Sequence, residues 1–136
     1  MRFNTLQGSQ RTVKKAKKYL IDWEGPSRSK IQFAVKQFLK KYWTSHIVFE
    51  EFPVAGTKLS LDFYNANKKI AVEVQGRQHT KYVPFFHGGN KINYLNQLKR
   101  DQDKFRFCDM NNIKLVEVYE GEEASEKLFE NFGVIL

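Results

Sequence analysis

The sequence predicts an α/β domain with a mixed sheet: an antiparallel three-strand meander, then a crossover helix returning to a parallel strand. Three observations predict it. Ile31, Ala34, Val35, Phe38, Leu39 and Tyr42 recur at i, i+3, i+4, i+7, i+8 and i+11, the period of a helix. Leu59, Leu61 and Phe63, then Ile70, Val72 and Val74, alternate with other residues at period two, as strands do. A long helical stretch over residues 93–111 then leads into another strand-like run, Ile113–Tyr119.

Taken in order, a first helix is expected from about Gln10 to Trp23. Val13, Ala16, Leu20 and Trp23 recur at helical spacing, Arg11, Lys14, Lys15, Lys17 and Lys18 fill the other faces, and Gly25-Pro26 ends it. A second helix starts at Ser29-Lys30-Ile31-Gln32, the Ser-x-x-Gln form of a capping box. Strands follow at Ile47–Pro53, Lys58–Tyr64 and Lys69–Gln75, with turn signals at Ala55-Gly56-Thr57 and Asn65-Ala66-Asn67. The long helix, Asn93 to Asn111, the strand Ile113–Tyr119 and a short acidic helix, Glu122–Phe132, complete the order α-α-β-β-β-α-β-α. Gly76 to Asn90 has no clear period and holds His79, Tyr82, Phe85, Phe86, His87 and Gly88-Gly89. Loops that long inside a compact domain are functional or disordered, and this many aromatics favour function.

A length of 136 residues suits one domain with one core, and 41% hydrophobic content excludes disorder as the main state. No apolar run approaches the ~18 residues of a membrane span, and the N-terminus lacks a signal-peptide core, so an intracellular protein without membrane partners is expected. A single Cys108 excludes internal disulfides and Cys-rich zinc sites. The net charge is +8, unevenly placed: residues 1–45 carry 11 Lys and Arg against Asp22 and Glu24. A one-sided basic surface is the footprint of a polyanion binder, although an ordinary solvated helix face has the same composition.

Asp62 and Glu73 sit inside otherwise apolar strands, where acids are disfavoured. With a two-residue turn, Asn65 pairs with Lys68 and Asp62 with Ala71, so Asp62 lies diagonal to Glu73 on one face, with Cβ atoms about 7 Å apart. One more turn residue would put them on opposite faces. Two such carboxylates suit Mg²⁺ or Mn²⁺, which polarise a phosphate oxygen and lower the pKa of bound water; the bland alternative is a wet sheet face. His79, just past Glu73-Val74-Gln75-Gly76-Arg77-Gln78, is a general base, a metal ligand, a leaving-group acid or a surface histidine. Asp101 interrupts the helical stripe Tyr94, Leu98, Phe105, Cys108, either paired with Lys104 along the helix or aimed at the face of Glu73.

The succession Ser29-x-x-Gln32, Leu61-Asp62-Phe63-Tyr64, Ile70-Ala71-Val72-Glu73-Val74-Gln75-Gly76-Arg77-Gln78-His79, Phe85-Phe86, Arg100-Asp101-Gln102-Asp103-Lys104 with Cys108, and Asn112-Ile113-Lys114-Leu115-Val116 resembles the PD-(D/E)XK nucleases. It is most similar to the branch of the very-short-patch repair endonuclease, which includes phage-type homing endonucleases with an EDxHD motif. The resemblance runs from about Ser29 to Tyr119. It implies a restriction-endonuclease-like αβββαβ core within a domain over residues 29–136, preceded by a basic helical extension, 1–28, and closed by a short C-terminal helix. It also implies Mg²⁺- or Mn²⁺-dependent cleavage of double-stranded DNA, by a site-specific phage-type enzyme working in the host cytoplasm, as monomer or homodimer. Asp62 would be the central metal ligand, Glu73 a second, and His79 and Asp101 the motif's histidine and final carboxylate. Gln75 stands where many members have Lys or Asp. Gln32 replaces a helix Glu; it can orient water but supplies no negative charge, which counts against two metals. Lys14, Lys15, Lys17, Lys18 and Arg11 are available for phosphates, and Arg77, Lys81, Phe85 and Phe86 for groove contacts, the two phenylalanines being equally core candidates. A junction or repair nuclease, and a DNA-binding module without turnover, are the rival readings.

Overall fold

The computed structural model describes residues 1–75 and 91–136. Strands β1 (Arg2–Asn4) and β2 (Gln10–Thr12) form a hairpin, followed by a short 3-10 helix (Ala16–Tyr19). Then come α1 (Lys30–Trp43), β3 (Val48–Pro53), β4 (Ser60–Asn65), β5 (Ile70–Gln75), α2 (Lys91–Met110), β6 (Lys114–Tyr119) and α3 (Glu126–Asn131). The main sheet has the order β3-β4-β5-β6, antiparallel across the first three strands and parallel between β5 and β6. This is the mixed α/β arrangement expected, with the meander, crossover helix and parallel return in place.

Alternation along the strands sends side chains to two apolar layers. Phe63, Val72, Val116 and Val118 meet Val35, Leu39 and Trp43 of α1 and Phe129 of α3. On the opposite face Tyr64 and Ala71 share a cluster with Phe107 and Cys108 of α2 and with Phe3 near the N-terminus. Cys108, the chain's one cysteine, is buried there at 1% exposure. Helix α1 starts as its capping signal predicts: the Ser29 hydroxyl accepts the Gln32 N–H at 3.1 Å.

Two expectations change. The helix from Gln10 to Trp23 does not form; its place is taken by β2 and the 3-10 turn. Arg11, Lys14, Lys15 and Lys18 would have stacked like charges three and four residues apart on a helix, which destabilises it. The segment instead spreads Val13, Ala16 and Tyr19 onto the cluster around Phe52 and Phe3, turning through Lys15 at φ 55°. Burying a ring such as Phe3 is worth about 1.5–3 kcal/mol, enough to override a marginal helical propensity. In α2, Phe105 of the expected inward stripe is 58% exposed and Phe107 is buried in its stead. Cys108 fixes the buried side of that turn, and Phe107 lies beside it, whereas Phe105 points away.

Candidate active site

Strands β4 and β5 pair Asn65 with Ile70, Tyr64 with Ala71 and Phe63 with Val72, so the same register carries Asp62 directly opposite Glu73. The expected pairing of Asp62 with Ala71 is therefore corrected: the turn spans the four residues 66–69, two more than a tight hairpin. Asn65 stabilises the longer turn by accepting the Lys68 N–H on Oδ1 at 3.0 Å, and Lys69 completes it at φ 55°. Two added residues preserve parity, and both carboxylates stay on the face covered by α2.

Each carboxylate binds the backbone of the other's strand. Glu73 Oε2 accepts the Asp62 N–H at 2.6 Å, and Asp62 Oδ2 accepts the Val74 N–H at 2.8 Å. From α2, Lys104 Nζ donates to Glu73 Oε1 at 2.6 Å. The Lys104 ammonium thus crosses to the sheet for its hydrogen bond, with Asp101 on its own helix adding a further electrostatic pull. Nothing in local sequence reveals this pair, because its partners are 31 residues apart.

The site is short of positive charge. Burial first, and the neighbouring Asp62 second, push the Glu73 carboxyl up to about 8 against the pull of Lys104. Burial also raises Asp62, which the Val74 N–H and Lys104 counteract and Glu51 reinforces. For Lys104, burial works to lower the pKa, but Glu73, Asp62 and Asp101 together leave it raised, an ammonium at neutral pH.

These groups open into a polar cleft of about 240 Å³, also lined by Gln75, Asp101, Arg100, Gln97 and Arg28. Asp62, Glu73, Gln75 and Asp101 of the sequence-derived site are thereby brought together. Gln75 Nε2 donates to Glu117 Oε2 of β6 at 3.3 Å. Gln32 is placed differently: buried, it donates through Nε2 to Glu50 Oε2 at 2.9 Å and Glu51 Oε1 at 3.0 Å. His79, Arg77, Lys81, Phe85 and Phe86 lie outside the described residues.

Sequence reasoning missed Glu50 and Glu51, although two acids inside an apolar strand are the same signal that exposed Asp62 and Glu73. Glu50 pairs with the fully buried Lys36 at 3.0 Å. Glu51 sits at φ 54°, where β3 skips one pair of its ladder with β4 across from Asp62. There it receives Arg28 at 2.5 Å, Gln32, and the Ser60 hydroxyl at 3.2 Å.

The basic N-terminal side chains Arg11, Lys14, Lys15, Lys17 and Lys18 are all exposed. Arg11 and Lys14 line a shallow cleft that shares Tyr19 with a second, lined by Lys18 and Arg28; Arg28 in turn borders the carboxylate cleft.

A hard divalent cation fits the donor chemistry, since the acidic ligands are oxygen and Lys104 supplies one positive charge for two buried carboxyls. Asp62 and Glu73 would hold it. Among the described residues no group of three His, Cys, Asp or Glu could do so, so water and backbone oxygens would complete the shell. Among the same residues no helix is long and apolar enough to cross a membrane.

The chain matches no family model and no solved structure. It is 44% identical over 66 residues to uncharacterized protein 094L of Frog virus 3, covering 48% of this chain and 43% of that one. To uncharacterized protein 307L of Invertebrate iridescent virus 6 it is 45% identical over 60 residues, 44% of this chain and 30% of the relative. To uncharacterized protein 033L of Invertebrate iridescent virus 3 it is 39% identical over 66 residues, 48% and 34% respectively. The matches span less than half the length of each relative.

Proposed function

We propose that the chain is a divalent-cation-dependent endonuclease that hydrolyses phosphodiester bonds of double-stranded DNA, a site-specific enzyme of the PD-(D/E)XK kind borne by a virus or selfish element. The observation that carries this reading is the buried Asp62–Glu73 pair facing each other across two strands, with Lys104 on Glu73, at the floor of an open polar cleft. The basic N-terminal surface borders that cleft through Arg28, so a polyanion held by Lys14 and Lys18 has the carboxylates within its path. The viral relatives accord with such a setting, inside a host cell.

A bound Mg²⁺ or Mn²⁺ supplies charge neutralisation of the phosphate and a more acidic water. The chain's own residues do the rest. Asp62 and Glu73 are immobilised by backbone N–H groups before any ligand arrives, so no ordering of these side chains is needed at the moment of reaction. Lys104 holds Glu73 in place and lines the cleft, where its positive charge would favour the negative charge gathered by a pentacoordinate phosphorus. Arg28 and Arg100 flank the cleft as phosphate contacts.

Plasmid cleavage in Mg²⁺ tests the reading. Asp62→Ala and Glu73→Ala should each abolish cleavage while fluorescence anisotropy shows DNA binding retained. Cleavage at the wild-type rate by both variants excludes this site. Binding by a wild-type chain that never cleaves establishes instead a DNA-binding module without turnover, the reading favoured by the engagement of Gln32 with Glu50 and Glu51.

A further inference from the structure

Strand β3 breaks its own alternation at one place. Successive strand residues point to opposite faces, yet Glu50 and Glu51 both accept from one amide, Gln32 Nε2 of α1, at 2.9 and 3.0 Å. The left-handed backbone at Glu51, φ 54°, brings the second carboxylate round to the side of the first. Phe49 and Phe52, three apart, accordingly share one aromatic cluster. A non-glycine residue keeps such a conformation only where its surroundings hold it, and such places gather at functional sites.

What the two carboxylates hold is the stretch just before α1. The fully buried Lys36 ammonium donates to Glu50 Oε1 at 3.0 Å and to the Pro26 carbonyl at 3.1 Å, and the Ser27 hydroxyl donates to Glu50 Oε2 at 2.7 Å. Arg28 Nη2 donates to Glu51 Oε2 at 2.5 Å, where the Ser60 hydroxyl donates as well, at 3.2 Å. Residues 26, 27 and 28 are thus each tied into one network. Its charges balance, Glu50 and Glu51 against Lys36 and Arg28, as long as residue 32 is neutral; a glutamate there would donate to neither carboxylate and would add a third negative charge. The outer side of Arg28 is left over. Among the described residues Glu51 is its one hydrogen-bond acceptor, and its side chain is 68% exposed. It lines both the carboxylate cleft and the neighbouring cleft of Lys18. A guanidinium carries five N–H groups in a planar fork, so one edge is anchored while another can take a phosphate in two parallel bonds.

We propose, on the basis of the nuclease reading above, that Arg28 clamps a DNA phosphate flanking the one cut at Asp62 and Glu73, and that Glu51, Glu50 and Gln32 are positioning residues that fix its guanidinium. The flanking phosphate follows from place: Arg28 stands between the carboxylates and the cleft of Lys18, so a strand running from one to the other passes it. Gln32 is then neither a weakened metal ligand nor a group that orients water. It is the neutral donor that lets two adjacent carboxylates turn the same way, and through Glu51 it acts on Arg28.

Single-turnover hydrolysis of duplex DNA by the full chain in Mg²⁺, with the cut first mapped on plasmid DNA, tests this beside DNA affinity. A single methylphosphonate, which removes one phosphate charge, is placed in turn at the phosphates flanking the cut. At one of them it should slow the wild-type chain about 10–100-fold and leave Arg28→Ala, already slowed by a similar factor, no slower. Arg28→Lys keeps the charge, and so the salt slope of binding, but loses the fork and should recover little of the rate. Glu51→Gln removes a negative charge beside the DNA, so affinity should hold or rise while hydrolysis slows about 10-fold, a split that a merely structural ion pair would not produce. Gln32→Glu should slow hydrolysis too; faster hydrolysis would mean a metal ligand restored on the helix and would overturn the inference. Wild-type rates in both Arg28→Ala and Glu51→Gln, or a methylphosphonate effect equally large in Arg28→Ala and the wild-type chain, overturn it and leave the nuclease reading intact. A wild-type chain that does not cleave, or an Asp62→Ala chain that cleaves normally, overturns the nuclease reading and this one with it.

Discussion

Two carboxylates facing each other under a helix cost free energy unless positive charge accompanies them, and Glu73 registers that cost in its carboxyl, pushed up to about 8 by burial and by Asp62. The linkage sign follows from where each state holds its proton. Below the ordinary glutamate range both folded and unfolded chains are protonated at this position. Between that range and about pH 8 the unfolded chain has lost the proton and the folded chain keeps it, so stability falls as pH rises, and the full penalty is present above pH 8. Urea unfolding in metal-free buffer should show the wild-type chain less stable at pH 9 than at pH 5, by on the order of a few kcal/mol from this group. Glu73→Gln should flatten that slope, and parallel pH profiles for the two chains would refute the assignment. The carboxylates were legible in sequence because an acid inside an alternating apolar strand breaks the pattern visibly. Lys104 was not, since a polar residue on a helix gives no sign of whether it meets water or a carboxylate from a distant strand.

At the scale of elements, the sheet and its two covering helices follow from periodicity, because burial of one face leaves a repeating imprint. The first 28 residues do not. Their apolar residues fit a helix by spacing, but Phe3, Val13 and Tyr19 gain more from the exposed edge of an aromatic cluster than from each other. Phe3 meets Phe52 at 5.8 Å and Phe107 at 5.5 Å, the second a contact across more than a hundred residues, and no local window can contain either. The basic side chains remain outside whatever the backbone does, so their expected partner is unaffected by the change of structure. Reversing Lys14, Lys15, Lys17 and Lys18 to Glu should weaken DNA binding and lower the slope of log K against log salt by up to about 3–4 units, at roughly 0.9 per phosphate contact. Circular dichroism should show the fold retained, as these side chains are exposed and none forms a buried pair. An unchanged salt slope would remove this segment from the binding surface.

For the molecule as a whole, the site depends on parts that arrive from different layers: β4 and β5 bring the acids, α2 brings Lys104, and the stretch before α1 brings Arg28. The strand order was readable, while the turn between β4 and β5 was read two residues short and the acids still met, because only the parity of that turn decides their face. The seam between α2 and the sheet is the joint on which the assembly rests, and Cys108 lies in it at 1% exposure, its thiol pushed up to about 12 by burial and then by Glu73. As the chain's one sulfhydryl, it is unreactive while the seam is closed. Alkylation of the native chain therefore proceeds only during moments when α2 lifts from the sheet, and its rate, compared with that of the unfolded chain, gives the equilibrium for that opening. A single sulfur atom is in this way a gauge of how large a fraction of the molecules has the site open, readable by mass spectrometry without any substitution.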